Sequence, residues 1–376
     1  MLDAGALSRA EISRRTGMSK PTVSLAIHSL EASGLVAETG IEAGRPGRSG
    51  VLYGAVAEAV LSVGIEISVG RVRGVLVDLD GRSLAEHARP VRARTSRAAY
   101  DAVRRCVDAL FEASGESPTG LFAVAVGTPG VIDPSTGRLT RAGTLPELDG
   151  TAPAEAISRR VGVPVRVIND VDLAALAEQV EGAGRGLEDF VVLWAGSGLG
   201  SAIVSDGALR FGHRGGAGEI HDIPFATVAA ALGRGTSDEV DISFAGVTRL
   251  AARLAPEHPD SRLAFPYRAD RVLDAADFDP LGAAVRERLA TWVAWYCAAL
   301  GAVVDPELIV LAGPLLARDD LVEPVGAVLA ALLSAPPRVV ASRLGDRALL
   351  AGAAAVARNE ALDRAFVTRR RPQREP

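Results

Sequence analysis

The chain has 376 residues, 48% of them hydrophobic and 4% aromatic, with a net charge of −5. That length allows two or three domains with a sizeable core, and the acidic balance excludes a uniformly basic nucleic-acid binder, so DNA contact must be local. A single lysine, Lys20, among 41 basic residues leaves none for a Walker-type phosphate loop or a Schiff base.

Cys106 and Cys297 lie far apart without metal-ligand neighbours. They read as buried small hydrophobes in a reducing compartment. No signal peptide opens the chain, and no run reaches about 18 apolar residues. A cytoplasmic protein without a membrane partner is expected.

In chain order, Ser8 and Glu11 form a capping box for a first helix that stops at Gly17. Ser19 caps a second helix, with Pro21 in its first turn. Along it Val23, Ala26, Ile27 and Leu30 make one apolar face, and Gly34 ends it. A strand from Leu35 and the segment GIEAGRPGRSGVLYGA then predict a hairpin. Helix, turn, helix and hairpin over residues 1–55 are the plan of a winged helix-turn-helix.

Its second helix would enter the major groove of double-stranded operator DNA. Ser19, Lys20, Thr22, Ser24 and His28 are the candidate contacts, with Arg45 and Arg48 at the wing tip for the minor groove. The alternative is a helical hairpin for protein docking. A further helix usually precedes this plan and MLDAG is too short to form it, so an upstream start is expected.

Strands are predicted at Val60–Ile67 and Val72–Leu79, a helix at Ser96–Ala113, and a buried strand at Leu121–Val126 that ends in the rigid loop Gly127–Gly130. A short buried strand, Val165–Ile168, ends in Asn169-Asp170, and an Ala/Leu-rich helix carrying Glu178 follows. A carboxylate at the end of such a strand stands at a ligand crevice, where it can accept a hydroxyl proton. Asp170 can equally be a helix N-cap. The glycine-rich stretch Gly196–Gly200 is either a phosphate loop or a tight hairpin turn.

Six segments carry a resemblance in order. They are GIEISVGRVRGVLVDLDG at 64–81, AVAVGTPGVIDPSTG at 123–137, VINDVDLAALAE at 167–178, LWAGSGLGSAIVSDGALRFGHRGGAGEI at 193–220, VVDPELIVLAGPLL at 303–316 and RALLAGAAAVA at 347–357. With the winged helix, they make the chain resemble the regulators of the ROK family of repressors, open reading frames and kinases. The resemblance implies an α/β, two-lobed, actin-like (sugar-kinase-like) ATPase fold. Lobe 1 is expected at 59–165 and lobe 2 at 166–360, with a C-terminal helix returning to lobe 1. A disordered basic tail is expected at 361–376.

The resemblance implies Asn169, Asp170, Glu219 and Asp222 as the sugar set, with Asp170 in the place of the kinase base. Gly196, Ser197, Gly198 and Gly200 match the family's second phosphate loop. Three departures stand out. Kinases of the family have Asp-x-Gly-Gly-Thr where this chain has Glu66-Ile67-Ser68-Val69-Gly70, so a branched Cβ replaces bare backbone beside phosphate. Asp222 replaces the zinc-ligand histidine of the family's Ile-Gly-His, and the cysteine cluster is absent, so no metal is expected. His221 and His213 read as surface histidines, with contact to ligand as the alternative. Ala312-Gly313-Pro314 replaces the family's paired glycines at the adenosine site.

These departures predict no kinase activity and no cofactor. The function expected is a transcriptional regulator, a repressor of carbohydrate genes answering to a sugar or sugar phosphate. A homodimer or dimer of dimers would read palindromic DNA. The alternatives are a sugar kinase with a fused DNA-binding domain and a regulator that no longer binds sugar.

Overall fold

A computed structural model describes residues 4–41, 50–225 and 240–368. The chain packs as two units. The first comprises the chain through Thr128, Ala152–Val167 and the stretch from Ala353; the second comprises Pro129–Thr151 and Ile168–Gly352. Residues 129–151, expected with the first lobe, therefore pack within the second unit.

In the first unit, helix Arg9–Thr16 is capped by Ser8, whose Oγ accepts from the Glu11 amide, and ends at Gly17. Helix Lys20–Ala32 is capped by Ser19. Strands Val36–Ile41 and Val51–Ala55 pair antiparallel as a wing, and Leu7–Ser8 adds a third strand. Ile12, Val23, Ile27, Val36 and Tyr53 close this small core. The Arg9 guanidinium lies 4.7 Å from the Tyr53 ring centre, covering its outer face.

Behind the wing is a five-stranded sheet in the order Val165–Asn169, Leu121–Thr128, Leu61–Ser68, Arg71–Val77, Ser83–Pro90. The last three strands form an antiparallel meander, and Leu121–Thr128 lies parallel to Leu61–Ser68. The predicted strand at 121 runs on through Gly127 and Thr128, into the residues expected to be loop. Helix Ser96–Ser114 covers the sheet with Val103, Cys106, Leu110 and Phe111.

The C-terminal helix, Ala348–Thr368, is longer than expected. Its residues 361–368 correct the assignment of a disordered tail: Ala361 and Ala365 are buried with Leu35, Val60, Leu79 and Ala123. Residues 369–376 lie outside the described residues.

The second unit repeats the same strand plan. Its sheet runs Ala208–Leu209, Leu199–Ser205, Phe190–Ala195, Leu308–Ala312, Arg338–Ala341, again an antiparallel meander beside two parallel strands. The repeated pattern of meander, parallel strands and covering helices is the two-lobed α/β fold expected. Helices Phe244–Leu254 and Pro280–Val304 bury Val247, Leu250, Val285, Leu289 and Val293 against one face of this sheet. Helix Asp170–Glu181 covers the other with Val171, Ala174 and Ala175. Among the described residues no helix is long and apolar enough to cross a membrane.

Candidate functional site

Asn169 closes its strand with φ −58° and ψ 143° and is the N-cap of helix Asp170–Glu181. Its Oδ1 accepts from the amides of Val171 (2.8 Å) and Asp172 (3.3 Å), and its Nδ2 donates to the Gly130 carbonyl at 3.0 Å. Both ends of the amide are thus engaged, pinning the 129–151 segment to the helix start. Capping falls to Asn169 rather than Asp170. Asp170 accepts from the Val171 amide at 2.9 Å and lies on the wall of a cavity of about 400 Å³. Every residue lining that cavity belongs to the second unit.

Another part of the wall is Glu219, held in place by Gly218 before it. Gly218 has φ +88°, and a Cβ there would lie 2.0 Å from the Ser201 carbonyl oxygen, so no other residue fits. Ser201 donates its amide (3.0 Å) and its hydroxyl (2.9 Å) to the Gly218 carbonyl. This fixes the approach to the 3₁₀ turn Ile220–Asp222, where Ile220 is buried. Glu219 and His221 then line the cavity. Burial pushes the Glu219 carboxyl above its ordinary range, and neighbouring His221 and Arg141 partly offset that.

His221 is on the cavity wall rather than being a plain surface residue. Its Nδ1 lies 3.3 Å from Glu219 Oε2 and its Nε2 lies 3.4 Å from Asp222 Oδ1. The two nitrogens face different carboxylates. Among the described residues no three His, Cys, Asp or Glu side chains are grouped to hold a metal.

Asp222, expected against sugar, is not among the lining residues; it binds Arg141, whose guanidinium donates to Asp222 Oδ2 at 2.6 Å and lies 4.0 Å from Glu219. Arg141 itself lines the cavity from a left-handed backbone position, φ 57°. Thr144, beside it, also lines the cavity, and its hydroxyl has no partner. Sequence reasoning missed both. Nothing in the local pattern marks residues from a long irregular segment as facing a strand end that follows about 25 residues later.

The stretch Gly196–Gly200 joins two antiparallel strands, with Ala195 opposite Leu199, so it is a hairpin turn. Ser197, Gly198 and Gly200 nevertheless line the cavity. Gly196 does not: its amide donates to the Gly198 carbonyl (2.9 Å) and its carbonyl accepts from Phe244 (2.9 Å). A Cβ on Gly196 would lie 3.1 Å from Pro314, so Pro314 packs directly over this turn. Asp241 and Tyr296 complete this side; burial pushes the Tyr296 hydroxyl up to about 12.

Asp172 is the buried acid that sequence reasoning passed over. Burial, reinforced by the charges of Asp170 and Glu219, pushes its carboxyl from 3.8 to about 7.

In the first unit, Glu66 is buried and receives the Arg73 Nε at 2.8 Å, with Arg71 at 4.0 Å. The hairpin turn beyond it exposes Val69 and gives the left-handed position to Gly70, φ 76°. On the winged helix, Ser19, Lys20, Thr22, Ser24 and His28 are all exposed. The Ser19 and Thr22 hydroxyls lie 2.7 Å apart, so part of their hydrogen-bonding capacity is spent on the cap. Arg45 and Arg48 lie outside the described residues.

Residues 62–360 match the ROK family, and residues 1–48 match a MarR family description. A glucokinase of Halalkalibacterium halodurans is 30% identical over 56% of this chain and 67% of its own length. The xylose repressor of Bacillus subtilis is 26% identical over 57% of this chain and 55% of its own length, so the chain matches about half of that protein. A solved ROK family transcriptional regulator, described as a homologue of the E. coli MLC protein, superposes with a TM-score of 0.75 at 20% identity. That superposition covers 96% of this chain and 94% of the other, and shows the shared fold.

Proposed function

The chain belongs to the ROK family, and from that premise we propose that it is a sugar-responsive, DNA-binding transcriptional regulator acting as a repressor of carbohydrate genes. One observation carries this reading. A single chain combines a winged helix with an exposed polar face, Ser19 to His28, and a separate unit holding a carboxylate-lined cavity. Carboxylates, an amide and an arginine around about 400 Å³ suit a monosaccharide, whose hydroxyls need paired acceptors and donors.

A ligand acts only if it binds two states with different affinity. A mechanical route is available. Helix Ala348–Thr368 begins in the cavity-bearing unit and ends among residues that pack with Leu30 and Leu35 of the winged helix. Displacement of that helix by a bound sugar would be felt at the DNA-binding face. A dimer that reads palindromic operator DNA follows from two-fold symmetry, and a regulator of genes works in the cytoplasm.

The second reading is a sugar kinase, favoured by the glucokinase relative and by Asp170 on the cavity wall. Three features weigh against it. Glu66 is occupied by Arg73, the first hairpin turn carries the branched, exposed Val69 where the family's kinases have glycine, and Pro314 packs over Gly196. Phosphoryl transfer is mostly positioning of phosphate and metal, so these changes remove the means of catalysis. We infer that the chain is not an enzyme.

The test is fluorescence anisotropy of the full chain on the DNA upstream of its own gene, at fixed salt, with a panel of sugars and sugar phosphates. Specific binding released by one of them is the expected result. Specific binding that none alters would favour a regulator without a sugar ligand. ATP turnover that Asp170→Asn abolishes would establish the kinase.

A further inference from the structure

We propose that Leu25, on the second helix of the winged module, reads the methyl group of a thymine in the major groove and so sets part of the chain's sequence preference. The inference rests on the DNA-binding reading and deepens it.

Helix Lys20–Ala32 buries Val23 and Ile27 in the small core with Ile12, Val36 and Tyr53. Leu25 stands midway between those two in sequence, so at about 100° per residue it lies about 160° around the helix from either. It is 73% exposed, the highest value among the large apolar residues described in the first unit. Pro21, Thr22, His28 and Ser29 are three or four residues from Leu25 and share its stripe, and all of them are exposed. The helix carries no carboxylate before Glu31, while Lys20 stands at its start. The outward face is therefore polar and free of negative charge, with one bulky hydrocarbon at its centre.

In the helix-turn-helix plan this face enters the major groove. Lys20 and Ser24 lie about 140° and about 100° around the helix from Leu25. That turns them toward the groove walls, where phosphates run, and leaves Leu25 facing the base edges. A leucine side chain has no hydrogen-bonding atom. Of the groups that base pairs present in the major groove, the thymine C5-methyl is the apolar one. Against the cytosine amine or the guanine carbonyl, Leu25 would strip water from a polar group and give no hydrogen bond in return. Thymine is thus favoured by contact with its methyl, and the other bases are disfavoured by desolvation.

The experiment starts from the duplex that the full chain selects out of random DNA. Each thymine in it is replaced in turn by deoxyuridine, which removes the C5-methyl and keeps every hydrogen-bonding group. Binding is measured by fluorescence anisotropy at fixed salt. At one thymine per bound copy the replacement should weaken binding of the parent about fourfold, the worth of one buried methyl-sized group. Leu25→Ala should bind the thymine and deoxyuridine duplexes equally. Leu25→Met keeps the apolar reach and should restore the difference. Both changes fall on an exposed position, which tolerates substitution without loss of the fold. A parent indifferent to every deoxyuridine replacement overturns the inference and leaves the DNA-binding reading intact. So does a sensitive thymine that stays equally sensitive in Leu25→Ala. Failure to select any duplex overturns the inference and counts against the DNA-binding reading itself.

Discussion

Asp172 should make this protein less stable as pH rises. Its carboxyl is pushed from 3.8 to about 7 by burial and by the neighbouring charges of Asp170 and Glu219. The folded chain thus holds that proton more tightly than the unfolded chain does. Below the ordinary aspartate range both states are protonated and the residue costs nothing. Between about pH 4 and pH 7 the unfolded chain releases the proton first, and folding loses free energy with each step. Above about pH 7 the loss is complete. A shift of about three units at about 1.4 kcal/mol each gives an upper value of about 4 kcal/mol. Asn at this position cannot ionise, so Asp172→Asn should match the parent at low pH and exceed it at pH 8. Thermal melts of both proteins at intervals from pH 5 to pH 8 would show the gap in Tm opening by several degrees. His221 and Arg141 flank Glu219, and Asp222 stands beyond them, so the comparison repeated in a His221→Gln background isolates the part due to Asp172. A gap that does not change with pH, or a parent more stable than the variant at pH 8, would refute the reasoning.

Three further perturbations probe other parts of the chain. Gly218→Ala puts a Cβ 2.0 Å from the Ser201 carbonyl oxygen in a left-handed backbone; the conformational strain alone costs about 1–2 kcal/mol, and the displaced Glu219 should abolish sugar binding by calorimetry. Unchanged affinity would show that Glu219 does not depend on this turn. Glu66→Ala removes the carboxylate that receives Arg73, whose side chain is 16% exposed, and should cost about 3 kcal/mol in urea unfolding. Most of that should return in Glu66→Ala with Arg73→Leu; a variant as stable as the parent would mean the pair contributes nothing. Lys20→Ala should weaken binding to operator and random DNA alike, with a salt slope smaller by about one. A loss confined to one base pair of the operator would instead make Lys20 a base contact.

The elements that the sequence announced were those with strong local signals. The Ser8 and Ser19 caps fixed two helix starts, because a side-chain oxygen over orphan amides is a local event, while the Glu11 half of the expected capping box is absent, its carboxylate binding Arg14 and Arg15. Strand Ser83–Pro90 gave no such signal. It is an edge strand with one solvated face, and SLAEHARP alternates too weakly to be told from a loop. The end of the last helix was hidden differently. Its buried face there is Ala361 and Ala365, four residues apart, and alanine buries too little surface to register as an apolar stripe. The Arg-rich sequence around them dominated the reading.

The candidate site was legible in its types and not in its assignments. Asn169 and Asp170 compete for one capping role, and from sequence either residue serves. The backbone at Asn169 decided it, since only a residue outside helical φ/ψ can cap, and that left Asp170 on the cavity wall. Asp172 looked like an ordinary first-turn acid that complements the helix dipole. Its burial comes from the tertiary fold, and a charge that acts on it, Glu219, is 47 residues later by numbering. A dipole contribution of at most about 1 kcal/mol does not balance an ionisation penalty of about 4 kcal/mol. Helix stability therefore does not explain an aspartate here, where Asn would fold better.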